Sequence, residues 1–184
     1  NQALLFASYL DQNDSAIQIL NKLISNPRAS LFLKSKAKLD LGDIYLIKGE
    51  PWESSLLYSQ VEKTQKENPV GYEAKLKNAK LSYYKGDFRL AQEHLDILKE
   101  ATTREIANDA MDLSMLIKEN IAFDSVGEAL SEYAQVELLL YQNKIQPALE
   151  KIQNLKQGIG DSTTFSNHTI LDDVYWLEAN IRMK

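Results

Sequence analysis

The segment Tyr-Leu-Ile-Lys-Gly-Glu at residues 45–50 has a counterpart 37 residues later, Ser-Tyr-Tyr-Lys-Gly-Asp at residues 82–87. We take Gly49 and Gly86 as turn residues, because glycine tolerates the left-handed backbone conformation that ends many helices. A small residue follows each turn after five positions, and large apolar residues follow after nine and twelve positions. The same pattern follows Asp11 and Asn143. The small residues are Ala16, Ser54, Ala91 and Ala148, and the large ones are Leu20, Leu23, Tyr58, Val61, Leu95, Leu98, Ile152 and Leu155.

This pattern predicts four helix hairpins. The small residue lets two helices approach closely, and the apolar residues at spacings of four and three form one buried stripe. A single hairpin cannot bury its stripe alone, so the hairpins must stack on one another. We therefore expect an all-α protein, an α–α superhelix of stacked hairpins with about ten helices.

The hairpins resemble the tetratricopeptide repeat (TPR) family in a divergent, bacterial-type form. The family favours Leu-Gly-x-x-Tyr in its first helix, matched by Leu41-Gly42-Asp43-Ile44-Tyr45, and alanine early in its second helix. Pro27 and Pro69 match the proline near the end of a unit. The match covers most of residues 1–100 and 126–157, with departures where Ala79 replaces the glycine of the second unit and Ser54 replaces an alanine.

The turn spacing indicates one helix outside the repeat. Successive turns are 38, 37 and then 57 residues apart, and the last gap has room for an additional helix over 103–121. We expect a break at 123–125, with Asp124 or Ser125 capping a helix that runs to about Gln142, and a change of stacking direction near 100–125. The segment 157–167 is expected to be a loop. The predicted units of this single domain are 1–27, 30–69, 70–100, the extra helix 103–121, 126–157 and a terminal helix 168–184. The sequence begins with Asn1, and an amphipathic terminal helix ends at Lys184, so we expect a part of a longer chain.

The composition disfavours several classes of function. The chain has no cysteine, two histidines and a net charge of −5, which argues against thiolate metal sites and against nucleic-acid binding. No apolar run approaches the roughly 20 residues of a membrane span. Gly158 and Gly160 lack the third glycine of a dinucleotide-binding loop, and His94 is expected to be structural. His168 with Asp172 and Asp173 could suggest a metal site, but two acidic residues in the first turn of a helix are the simpler interpretation. We predict no enzyme activity, no metal and no cofactor.

In TPR proteins the first helices line a concave surface, and the resemblance implies a partner-binding groove here. The groove-facing positions would lie ten, six and three residues before each turn. Apolar and aromatic residues alternate there with charges, which suits an extended peptide or an amphipathic helix. The alternative is that these leucines and tyrosines pack beneath the extra or the terminal helix. The candidates are Leu39, Asp43, Leu46, Leu76, Lys80, Tyr83, Tyr133 and Glu137, with Leu140 in the same register and Leu130 one helical turn before Tyr133.

Three functions are compatible with these features. The first is a non-enzymatic scaffold or adaptor that binds a protein partner on the concave face. The second is self-assembly, in which Leu171, Val174, Leu177 and Ile181 of the terminal helix contact a second copy or further repeats. The third is a ligand-capture or enzyme domain built around the loop 157–168. The sequence does not distinguish a cytoplasmic from a periplasmic protein.

Overall fold

The computed structural model describes residues 13–100, 103–121, 127–161 and 170–183. All regular structure in these ranges is helical, with nine α-helices and no strand. The helices are α1 (Asn13–Ser25), α2 (Leu31–Lys48), α3 (Pro51–Thr64), α4 (Pro69–Tyr84), α5 (Phe88–Glu100), α6 (Arg104–Ile121), α7 (Glu128–Tyr141), α8 (Ile145–Asp161) and α9 (Ile170–Arg182). The expected all-α class is confirmed. The count of about ten included a helix before Asp11, which lies outside the described residues.

Consecutive helices pack against each other as pairs. From α1 to α6 each helix contacts the next, and α7 packs against α8. The alternate helices α2 and α4, and α4 and α6, also touch. The order changes after α6, because α7 makes more contact with α4 than with α6. Helix α9 then contacts both α7 and α8.

The turns have the backbone conformation that the sequence predicted. Gly49 and Gly86 have φ values of 83° and 77°, and Asn143 is left-handed with φ of 59°. The backbone N–H of Gly49 donates to the Leu46 carbonyl, which ends α2. The fourth predicted turn, at Asp11, lies outside the described residues.

The small residue after each turn is fully buried, as the repeat pattern requires. Ala16, Ser54, Ala91 and Ala148 all have no exposed surface. The Ser54 hydroxyl donates to the Gly42 carbonyl at 2.8 Å, which joins α3 to α2 where the two helices approach most closely. A Cβ on Gly42 would lie 2.9 Å from Cδ1 of Tyr58, so α2 needs glycine at this position. The large apolar residues of the pattern are buried, except the half-buried Leu23.

Two predicted boundaries differ from the structure. Helix α8 continues to Asp161, so no loop begins at residue 157. Helix α7 begins at Glu128 after the left-handed Gly127, rather than at a cap formed by Asp124 or Ser125. Helix ends are set by weak local signals, so sequence patterns locate them only to within a few residues. At the start of α7, glycine followed by glutamate is also a suitable beginning for a helix. The expected break at 123–125, the rest of the loop to residue 168, and His168 itself lie outside the described residues.

Candidate partner-binding groove

A groove with a volume of about 660 Å³ lies between α2, α4 and α6. Residues from the first half of α6, the length of α4 and both ends of α2 form its walls, and Tyr141 of α7 closes one end. The α2–α4–α6 groove is therefore bounded by alternate helices of the stack. Its main apolar side chains are Phe32, Leu46, Val70, Leu76, Ile106 and Tyr141.

Ion pairs cross the groove from helix to helix. Lys36 of α2 pairs with Glu73 of α4. The Lys77 ammonium on α4 donates to both carboxylate oxygens of Asp43 on α2, at 2.8 Å each. Lys80 of α4 lies 3.5 Å from Asp109 of α6. These pairs connect α4 to α2 and to α6. Each of the three groove lysines therefore has an acidic partner.

Asp43 is the most heavily engaged polar residue of the groove. Besides Lys77, its carboxylate accepts a hydrogen bond of 2.7 Å from the Tyr58 hydroxyl. Burial and the adjacent negative charge raise the pKa of Tyr58 far above its ordinary value, so this hydroxyl remains a donor. The Lys77 ammonium also lies 5.9 Å from the centroid of the Tyr58 ring. Asp43 therefore holds α2, α3 and α4 together.

Half of the candidate groove residues line this groove. Asp43, Leu46, Leu76 and Lys80 contribute to its wall, where Leu46 and Leu76 are themselves core residues that are only 5% and 6% exposed. The other four are not part of the lining. Leu39 and Tyr83 are only 1% exposed, Tyr133 is 5% exposed, and Glu137 is half-buried. These four therefore pack within the protein, as the alternative interpretation of the sequence allowed. The helix that covers the groove face is α7, however, and not the extra or the terminal helix.

Helix α7 is fixed against the C-terminal parts of α2 and α4. Glu137 accepts a hydrogen bond of 2.6 Å from the Tyr83 hydroxyl on α4. The Gln142 side-chain amide donates to the Leu46 carbonyl at the end of α2, at 2.9 Å. The ring centroids of Tyr141 and Tyr84 are 6.4 Å apart. Because of this position, α7 covers one part of the face formed by α2 and α4 and leaves the groove as the open part.

The environment of Glu137 is unfavourable to its charged form. Desolvation by burial raises the pKa of Glu137, and the nearby Asp173 raises it further. The hydrogen bond from Tyr83 and the positive charge of Lys80 oppose this effect. Glu137 therefore contributes a buried polar contact between α7 and α4.

Sequence reasoning missed the most exposed apolar residue of the groove. Phe32, in the first turn of α2, is 59% exposed and lies at the groove edge. It precedes the turn by 17 residues, beyond the three positions that the repeat register considered. Ile106 of α6, half-buried, was predicted only as part of the extra helix. The apolar triplet Leu31-Phe32-Leu33 at the start of a helix was the available signal.

The terminal helix α9 uses the predicted contact residues within the chain. Val174 is fully buried, and Leu171, Leu177 and Ile181 pack against the same core. The face expected to contact a second copy is therefore turned towards α7 and α8, which cover it. The opposite face carries Trp176.

Of the two histidines, only His94 lies among the described residues. His94 is half-buried on α5, and burial lowers its pKa, so the imidazole is neutral near pH 7. It lines a second cavity of about 850 Å³ between α3 and α5. Among the described residues, no group of three or more histidine or acidic side chains is arranged to hold a metal ion.

Comparison of this chain with known proteins finds no match. The chain matches no protein-family model, and neither the curated proteins nor the solved structures include a significant match. Within the described ranges, none of the helices has the length and apolar character needed to cross a membrane.

Proposed function

We propose that this chain is a divergent TPR-like solenoid that acts as a non-enzymatic scaffold or adaptor. In this proposal the α2–α4–α6 groove binds an amphipathic helix of a protein partner. The observation that carries the proposal is the groove itself, which crosses three alternate helices and presents an exposed phenylalanine beside paired charges.

The repeat assignment is supported by a shared local geometry. Left-handed turn residues precede buried small residues in three described hairpins, after Gly49, Gly86 and Asn143. Ser54 and Gly42 make the close helix contact that the family's glycine and alanine positions provide. These features favour a solenoid of stacked hairpins.

The lining of the groove suits binding through apolar contact. Phe32 and Ile106 come from α2 and α6, so a ligand can contact both of them only by spanning the groove. The lysines between them are already paired. A partner therefore gains most by burying apolar side chains, and the paired charges form a polar rim around that contact.

The neighbouring helix α7 favours a helical ligand over an extended one. It lies as a helix on the adjoining part of the α2 and α4 face, and its Tyr141 side chain reaches the groove. A partner helix would continue this packing, with residues at helical spacing facing Phe32 and Ile106.

The test uses a photo-reactive amino acid at position 32, introduced into the chain and cross-linked in an extract of the native host. The cross-linked segment of the captured protein is identified, synthesised as a peptide and titrated against purified variants. Phe32→Glu should weaken its binding about 30-fold or more, because the change places a charge in the contact. Leu56→Glu is the matched control, since Leu56 is 56% exposed on α3 and lies outside the groove lining.

Equal affinity for Phe32→Glu and the wild type would contradict binding in this groove. Circular dichroism should show that the peptide gains helix on binding, and an extended bound peptide would contradict the helical partner. Both variants change exposed residues, so each should stay folded with an unfolding free energy within about 0.5 kcal/mol of the wild type.

A further inference from the structure

The outer face of α9 carries a mainly apolar stripe that no other part of the described chain covers. Asp172, Trp176, Ala179 and Met183 follow one another at spacings of four, three and four residues, which places them on one side of a helix. All four are exposed, and Trp176 and Met183 are 68% and 77% exposed. Tyr175 borders the stripe and is also exposed. The large side chains of Trp176 and Met183 project from this face, and the small side chain of Ala179 leaves a recess between them.

The charges at the two ends of α9 are opposite in sign. The first turn is acidic, with Asp172 and Asp173, and the last turn is basic, with Arg182. Asp172 takes part in no ion pair among the described residues. The Arg182 guanidinium donates to Glu178 of its own helix and is 57% exposed. A second α9 in antiparallel orientation would bring Asp172 to Arg182 at both ends, whereas a parallel one would place like charges together.

We propose that two copies of the chain associate through this face, with their α9 helices antiparallel about a two-fold axis. In this arrangement Trp176 of each copy packs over Ala179 of the other, because the two positions lie at equal distances from the centre of the stripe. The alanine leaves room for the indole ring, and Met183 covers its edge beside Asp172 of the second copy. This differs from the self-assembly expected from the sequence, which used the face of α9 that packs against the core through Val174.

The dimer should be weak and dependent on concentration. A helix of 13 residues is about 20 Å long, so one helix pair buries less area than the roughly 1,200 Å² of a stable interface. The proposal does not depend on the function of the α2–α4–α6 groove, which lies between other helices.

Sedimentation equilibrium of the 184-residue chain, up to about 1 mM, tests the proposal. The wild type should show a monomer–dimer equilibrium, and Trp176→Glu should raise the dissociation constant about 30-fold or more. Trp52→Glu is the matched control and should leave it unchanged, because Trp52 is 80% exposed on α3. A monomeric wild type, or a Trp176→Glu variant that dimerises as the wild type does, would overturn the proposal.

Charge reversal tests the orientation and leaves the apolar members of the stripe, Trp176, Ala179 and Met183, unchanged. Asp172→Arg or Arg182→Asp alone should weaken the dimer about tenfold, and the double variant should recover most of the lost affinity. In a Trp52→Phe background, the fluorescence of Trp176 should shift to shorter wavelength as the protein concentration rises. Failure of the double variant to recover affinity, or emission independent of concentration, would refute the antiparallel pairing.

Discussion

Replacing Gly42 by alanine tests whether the close approach of α2 and α3 determines the hairpin. The added Cβ would lie 2.9 Å from Cδ1 of Tyr58 and nearer still to Cε1, whereas ordinary contacts begin at 3.4 Å. The Tyr58 ring must therefore retreat by about 1 Å from a site in which it is fully packed. That movement also strains the hydrogen bond of 2.7 Å from its hydroxyl to Asp43.

Opposing effects determine the size of the change. Overpacking of this kind costs about 1–3 kcal/mol, and a weakened hydrogen bond to a carboxylate costs about 1 kcal/mol more. Alanine is favoured over glycine within a helix by about 1 kcal/mol, which offsets part of the cost. The net loss in unfolding free energy for Gly42→Ala is therefore about 1–3 kcal/mol, equivalent to a fall in melting temperature of several degrees.

Urea denaturation followed by circular dichroism measures this loss. Tyr58→Leu removes the clashing ring, so it should reduce the penalty of Gly42→Ala when the two changes are combined. It should not reduce the penalty of Gly49→Ala, because that glycine has space around it and a φ of 83° that disfavours alanine. If Gly42→Ala is as stable as the wild type, the helix approach is not limited by this contact and the reasoning fails.

Two further substitutions test the contacts of α7 and α9. Glu137→Gln should raise the unfolding free energy at pH 7, because burial raises the pKa of Glu137 and the folded state therefore binds its proton more tightly than the unfolded state. In the wild type, the stability contributed by the protonated Glu137 side chain is lost as pH rises through its raised pKa. The advantage of the variant should therefore vanish towards pH 4. Urea denaturation at pH 7 and at pH 4 measures both unfolding free energies. Val174→Asp should cost more than about 3 kcal/mol, since Val174 is fully buried and the carboxylate would have no partner; a stable, folded variant in the same assay would contradict the core position of α9.

The hairpins could be predicted because their determinants are local. Ala91, Leu95 and Leu98 lie within one helix, and the left-handed Gly86 precedes them by a few residues. Helical periodicity and turn chemistry therefore suffice to pair α4 with α5. The same argument found the helix between the repeats, since a gap of 57 residues between turns exceeds one hairpin.

The position of α7 could not be read from such local signals. Tyr83 and Glu137 are 54 residues apart, and Gln142 contacts a carbonyl 96 residues away. The repeat register placed Tyr133 and Glu137 on the groove surface because it assumed that α7 continues the stack. The structure packs α7 against α4, and in that position Tyr133 is buried and Glu137 is half-buried.

The packing of α7 against α4 explains why the groove is short. It also leads us to expect that, in the proposed binding mode, the shape of a ligand determines whether it binds. Had α7 continued the stack beyond α6, the faces of α2 and α4 would remain open along their length, with Leu39 and Tyr83 available to a partner. With α7 in place, the open part is confined to the region from Phe32 to Tyr141. The ion pairs there are partly exposed, so each contributes little stability by itself, yet together they fix the separation of α2, α4 and α6. In the proposed binding mode, a partner helix would have to fit this separation, and its apolar side chains would have to match the spacing between Phe32 and Ile106.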